Sequence, residues 1–300
     1  MWKGVEPKRG EYNASYVGIV RDIVTEASSF GIYTILDMHQ DDFSEYFCGE
    51  GVPDWAVIVD TPHGFPMPLS DEPFSEVASD GYPTRQDCGK FGWPSYYNTA
   101  AQASAVGNLY NNVDGLLDSW GAFFSHLAEE VGTKESAVLG YEIINEPFAG
   151  DVFRDPKLYI PSVADHLSLE PAYDSIAKQI RTVDNDSLIF FAGVTWDDFI
   201  QAGFTHAPNN EPDKSVFAFH FYCPPQNNSI TYLRTRGDDS KRLQVGSMVT
   251  EFERANIGMS LDTDPFVSFA DAADKNLLSY TWWEYKVQKP SSHPIISCSS

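Results

Sequence analysis

Short apolar runs alternate with helical stretches along the whole chain. Ile32-Tyr-Thr-Ile-Leu-Asp37, Val138–Ile144, Leu188–Gly193, Ser215–Phe219, Gln244–Thr250 and Leu277–Trp283 have strand character. Helical periodicity fills 14–30, 100–131 and the regions near 171–183 and 264–275. In the first of these Val17, Ile19, Val20, Ile23, Val24 and Ala27 recur on one face, and Gly31 ends it. In the second, Leu109, Val113, Leu116, Leu117, Trp120, Phe123, Phe124 and Leu127 mark the core face. Strands that alternate with helices form βαβ units and a parallel sheet. A single α/β barrel takes roughly 250 residues, so one barrel nearly fills this chain.

The strand ends carry the chemistry. Ala137-Val-Leu-Gly-Tyr-Glu-Ile-Ile-Asn-Glu-Pro147 delivers Asn145 and Glu146, and Leu243-Gln-Val-Gly-Ser-Met-Val-Thr-Glu-Phe252 delivers Glu251. Two carboxylates at the C-terminal ends of barrel strands suit a retaining glycosidase, in which one protonates the leaving oxygen and the other attacks the sugar carbon. The acid needs a partly dry site to keep its proton, and the nucleophile needs donors around it. Tyr222 is placed to donate to Glu251, and His220 to orient Glu146. Asn145 is placed to hold the sugar 2-hydroxyl, His39 and Asp41 to hold hydroxyls of the terminal sugar, and Trp283 to stack on a ring. Alone, each has a plainer explanation: His39 or His220 as a core histidine, Trp282 and Trp283 as core. Glu142, Glu253 and Glu284 read as structural acids. Conjunction at one mouth favours catalysis.

A net charge of −23 excludes nucleic acid and disfavours an anionic membrane surface. No apolar run of 18 residues suggests a membrane span, and the opening Met1-Trp-Lys-Gly-Val-Glu-Pro7 does not read as a signal peptide. Cys48, Cys88, Cys223 and Cys298 match no zinc spacing, and nothing signals a metal or other cofactor. Cys48 and Cys88 flank a long irregular stretch at 42–99 and read either as a disulfide or as free thiols. That stretch is rich in Pro and aromatics, which argues for an ordered loop over a cleft. Asn13-Ala-Ser15, Asn185-Asp-Ser187 and Asn227-Asn-Ser229 fit the glycosylation acceptor pattern.

The ordered set Asn145-Glu146, His220-Phe-Tyr222, Glu251 and Trp283 resembles glycoside hydrolase family 5 of the clan A barrels. Leu36-Asp-Met-His-Gln-Asp41, Gly49-Glu-Gly-Val-Pro-Asp-Trp-Ala56, Gly140-Tyr-Glu-Ile-Ile-Asn-Glu-Pro147 and Trp282-Trp-Glu-Tyr-Lys286 are similar to its endoglycoceramidase subfamily, through essentially the whole chain. The resemblance implies a (β/α)8 TIM-type barrel with Glu146 as acid/base and Glu251 as nucleophile. It implies that His39 and Asp41 bind the first sugar, and that the reaction cleaves the β-glucosidic bond between a glycan and ceramide. The subfamily's first strand, with a sugar-binding Lys, and an Arg on its second strand lie upstream of the matching Trp-x-Gly-Val-Glu-Pro. An incomplete barrel over 1–300 is therefore expected, without the β-sandwich domain that usually follows.

The expected partner is thus a glycolipid or β-glucoside, with the chain expected as a monomer and its full-length parent as secreted or lysosomal. Val52, Trp55, Ala56, Val57, Ile58 and Phe148 are expected to cradle the lipid in an exposed apolar groove. The alternatives are a β-glucosidase or endoglucanase on glucosylceramide, steryl glucoside or soluble glucan, and an inactive truncated member. Retention requires the two carboxyl groups to lie about 5–5.5 Å apart.

Overall fold

The computed structural model describes residues 1–75, 77–195, 200–222, 229–252 and 264–283. Cys223, Asn227, Glu253, Glu284, Lys286 and Cys298 lie outside them. Six strands form one parallel sheet in chain order: β1 (Thr34–Asp37), β2 (Val138–Glu142), β3 (Leu188–Ala192), β4 (Ser215–Phe221), β5 (Gly246–Phe252) and β6 (Ser279–Tyr280). Around them run α1 (Ala14–Ser29), α2 (Ala100–Tyr110), α3 (Leu116–Glu130), α4 (Glu170–Ile180), α5 (Ser229–Leu243) and α6 (Asp264–Lys275). This is the curled sheet of a (β/α)8 TIM-type barrel, with six of its strands among the described residues.

Two apolar clusters follow from the period-2 alternation of strands. A small inner one joins Ile35, Leu139, Leu188, Phe190, Val216, Ala218 and Met248 from five successive strands. It fills the barrel interior. The larger cluster lies between sheet and helices, where Phe217, Phe219 and Phe221 of β4 point outward and α3 buries Leu116, Leu117, Trp120, Phe123, Phe124 and Leu127. Both faces of the sheet are covered, so its strands read as continuous apolar runs instead of alternating ones.

Several expectations are corrected. The helix expected over 100–131 is two helices, because Asn112, Asp114 and Gly115 adopt left-handed φ of 55°, 52° and 73°. On α1 only Val17 and Val24 are buried, while Ile19 and Ile23 are exposed. The last strand is shorter than 277–283, and Leu277 turns outward with φ 57°. The expected lipid cradle is core: Val52, Ala56 and Phe148 are buried, and Trp55, Val57 and Ile58 pack against the main cluster.

The long stretch after β1 is ordered, as its composition suggests. Phe65 meets the rings of Phe47, Phe74 and Tyr96 at 5.2–5.5 Å. Cys48 and Cys88 form a disulfide that closes a separation of 40 residues. Lys3 ties the start of the chain to this stretch through Glu45, Asp54 (2.8 Å) and the Tyr82 hydroxyl (2.7 Å).

Candidate active site

The C-terminal ends of β1, β2, β4, β5 and β6 converge on one mouth. Glu146 leaves the turn after β2 with φ 40°, a left-handed conformation that costs a non-glycine residue on the order of 1 kcal/mol or more. His220 near the end of β4 lies opposite Glu251 of β5 in the register, immediately after an irregularity at Phe219/His220. His220 Nδ1 is 2.9 Å from Glu146 Oε1 and 3.5 Å from Glu251 Oε2. Tyr222 donates its hydroxyl to Glu251 Oε2 at 2.7 Å. Oxygens of Glu146 and Glu251 lie within 4.8 Å of each other, with the His220 nitrogen nearer to Glu146. Beside Glu146 a small cavity of about 20 Å³ is lined by Gly193, Thr195, Ala218 and His220, room for one water.

Burial alone would lower the His220 pKa. The hydrogen bond to Glu146 and the charges of Glu251, Glu146 and Glu142 outweigh it and raise it to about 9. Burial pushes Glu251 up, against the pull of His220 and Tyr222.

The sugar-facing candidates are more tightly engaged than expected. His39 directs Nδ1 at Asp37 (2.9 Å) and Nε2 at Asp41 (3.5 Å), and its ring stacks on Trp283 at 5.4 Å with planes 4° apart. Burial opposes its charge, yet Asp37 and Asp41 hold its pKa at about 11. Both nitrogens therefore face carboxylates, and one face of Trp283 is taken. Asp41 remains partly exposed as an acceptor. Asn145 is buried and donates Nδ2 to the Gln40 carbonyl at 2.9 Å, so one of its two amide hydrogens is already used.

Two more acids belong here. Glu142 accepts from Thr250 Oγ1 at 3.1 Å, and burial together with the charge of Asp37 pushes its pKa up. Asp42, also buried, is pushed to about 8 by burial and then by Asp41 and Glu146. The sequence reading took Glu142 as merely structural and passed over Asp42 and Gln40. A polar residue directly after a strand end was the available signal for the last two. Besides the catalytic group, His39, Asp41 and Glu50 also bring donor atoms within 4.8 Å of one another. His39 Nδ1 lies 2.9 Å from Asp37 and His220 Nδ1 lies 2.9 Å from Glu146, the spacing of charge-assisted hydrogen bonds.

These shifts set a pH dependence of stability. His39 and His220 have folded pKa values raised above the ordinary 6.5, so their contribution is complete below 6.5 and is lost as pH rises through about 9 and 11. Asp42, raised from 3.8 to about 8, keeps its proton in the fold while the unfolded chain has lost it. It therefore also favours the folded state less as pH climbs from 3.8 to about 8. Thermal midpoints should fall steadily between about pH 6 and 9.5. A midpoint that rises over that interval contradicts the assigned charge states.

A parallel barrel whose strand ends bring two carboxylates and an imidazole to one sugar-sized mouth has the architecture of a glycoside hydrolase. The chain belongs to glycosyl hydrolase family 5: the family's model, Cellulase (glycosyl hydrolase family 5), matches residues 1–289. It is 46% identical over 288 residues to the endoglycoceramidase of Hydra vulgaris, covering 95% of this chain and 54% of that protein. It is also 46% identical over 290 residues to the endoglycoceramidase of Cyanea nozakii, covering 95% of this chain and 56% of that one. The chain thus spans about half the length of these relatives. Endo-glycoceramidase II from Rhodococcus sp. superposes with a TM-score of 0.73 at 20% identity, over 94% of this chain and 62% of that one. At that identity the likeness is one of fold.

Proposed function

We propose that this chain carries the catalytic barrel of a retaining β-glycosidase that cleaves the bond between glycan and ceramide in glycosphingolipids. The observation that carries the chemistry is the Glu146–Glu251 approach within 4.8 Å, with His220 between them. The substrate class is supported by the 46% identity to two endoglycoceramidases. Glu251 attacks the anomeric carbon of the ceramide-linked glucose while Glu146 gives its proton to the departing ceramide oxygen. Glu146, now a carboxylate, takes a proton from water, which attacks the glycosyl-enzyme and frees Glu251. Tyr222 and His220 stabilise the Glu251 charge, and Asn145, Asp41, His39 and Trp283 face the sugars.

Alkyl space is available in the long stretch itself, at Val57 but not at the other residues the sequence suggested. A cavity of about 490 Å³ is lined by Phe47, Val57, Val59 and Phe65 together with Asp54, Thr61 and His63, and its apolar residues suit a lipid chain. A secreted or lysosomal setting is part of the same proposal. It is supported by the Cys48–Cys88 bond and by the exposed Asn13 and Asn185 of two acceptor tripeptides.

The test offers the protein a ganglioside, glucosylceramide and a cellodextrin side by side. Release of the intact oligosaccharide from the ganglioside, first seen as the β-anomer, is the expected result. Cleavage of cellodextrin alone would make the chain an endoglucanase. Turnover of glucosylceramide alone would make it a glucosidase, and turnover of none would leave an inactive barrel.

A further inference from the structure

We infer that Gln40 is the positioning residue that aims Glu146, an assignment that rests on the glycosidase reading above. Gln40 is 2% exposed. Its Nε2 donates to the carbonyl of Asn145 at 2.7 Å, the carbonyl of Glu146 at 3.0 Å and the Tyr97 hydroxyl at 3.1 Å. Its Oε1 accepts from Phe43 N at 2.7 Å. Asn145 Nδ2 returns a bond to the Gln40 carbonyl at 2.9 Å. Two amide hydrogens serve three acceptors, so one is shared, and every polar atom of this side chain is engaged.

Both stretches joined in this way contain left-handed backbone without glycine. Asp42 (φ 46°) and Phe43 (φ 69°) lie on one side, Glu146 (φ 40°) on the other. Such conformations persist only where their surroundings hold them. The carbonyls of residues 145 and 146 bracket the Glu146 Cα. A donor fixed to both therefore constrains φ and ψ at that residue, and with them the direction in which its carboxyl leaves the backbone. That direction sets the 2.9 Å contact with His220 and the approach to Glu251. A misplacement of about 1 Å is enough to cost a large factor in rate.

Gln40 cannot withdraw. Gly51, at φ 117°, closes the space behind it, and a Cβ there would lie 2.6 Å from Gln40 Cβ and 2.7 Å from the His39 carbonyl. The stem of the side chain is thus backed by Gly51 while its carboxamide is held by the Asn145–Glu146 peptide. It bonds only protein groups, which makes it a positioning residue and not a catalytic one.

The experiment compares two β-lactosides that share a sugar and differ in leaving group, a dinitrophenyl and an octyl glycoside. Gln40→Leu in the full chain should lose on the order of 10²-fold in kcat/KM, which reads the glycosylation step alone, on the octyl glycoside, where acid catalysis is needed. On the dinitrophenyl glycoside kcat/KM should fall less than about threefold, because that leaving group departs without a proton. A merely structural residue would lower both alike, and equal losses, or none, overturn the inference. Should Gln40→Leu fail to fold by circular dichroism, Gln40→Asn decides, since it keeps the carboxamide but withdraws it by one methylene. It should show the same selectivity at about tenfold, and an equal loss on both substrates there is the overturning result. If Glu146→Gln itself treats the two glycosides alike, the acid assignment falls and this inference with it.

Discussion

Glu251→Gln reduces turnover by on the order of 10⁴-fold or more, about 5 kcal/mol in the barrier, while glycan binding persists. The amide has the same shape and still accepts from Tyr222, whose hydroxyl lies 2.7 Å from Glu251 Oε2. What it lacks is the charge and the electron pair that form the glycosyl-enzyme bond. The fold should not suffer. Burial already opposes ionisation of Glu251 and raises its pKa, so a neutral amide removes an unfavourable charge. Steady-state rates on a glycolipid and calorimetric titration with its glycan give both halves of the result. Retention of turnover within tenfold of the native chain would refute the role of Glu251.

Glu146→Gln is expected to split substrates by leaving group. In the proposed reaction ceramide departs as a poor alkoxide, so losing the acid should cost on the order of 10³-fold on a glycolipid. An activated aryl glycoside needs no proton and glycosylates Glu251 almost as before. Its second step then lacks the base, so the glycosyl-enzyme accumulates and aryl alcohol appears as a burst of one equivalent. In the variant His220 faces an amide in place of the carboxylate whose hydrogen bond contributes most to raising its pKa. A glycosyl-enzyme detected by mass spectrometry confirms the order of events. A uniform fall for both leaving groups, with no burst, would move the acid role elsewhere.

The catalytic constellation was legible because each of its members ends an apolar run. Glu146, His220, Tyr222 and Glu251 sit where periodicity stops, and a parallel barrel gathers such positions at one face. What stayed hidden depends on contacts between distant segments. Helix α5 escaped notice because its buried face includes Arg236, Asp239 and Ser240, paired inside the protein, with Arg236 and Asp239 3.1 Å apart. Hydrophobic periodicity cannot find a helix that buries charge. The break between α2 and α3 rests on left-handed Asn112 and Asp114, residues equally at home in a helix surface. Val52 and Ala56 looked like a lipid cradle because apolar residues in a loop are ambiguous until their neighbours are known. Gln40 reads as a polar spacer between His39 and Asp41, and its partners Asn145 and Glu146 lie 105 and 106 positions away.

The cross-link between residues 48 and 88 begins one residue before Gly49, whose N–H bonds the Ser44 carbonyl, and two before Glu50, which pairs with Asp41. In a chain-entropy account, closing a loop of this size withholds about 4 kcal/mol of freedom from the unfolded chain. The sugar end of the mouth is therefore tethered by a covalent bond that only an oxidant can install. Protein produced among cytosolic reductants would emerge with two thiols and a slacker glycan rim, even with every carboxylate in place. Preparations made in an oxidising secretory host should carry the geometry that the proposed glycan contacts require.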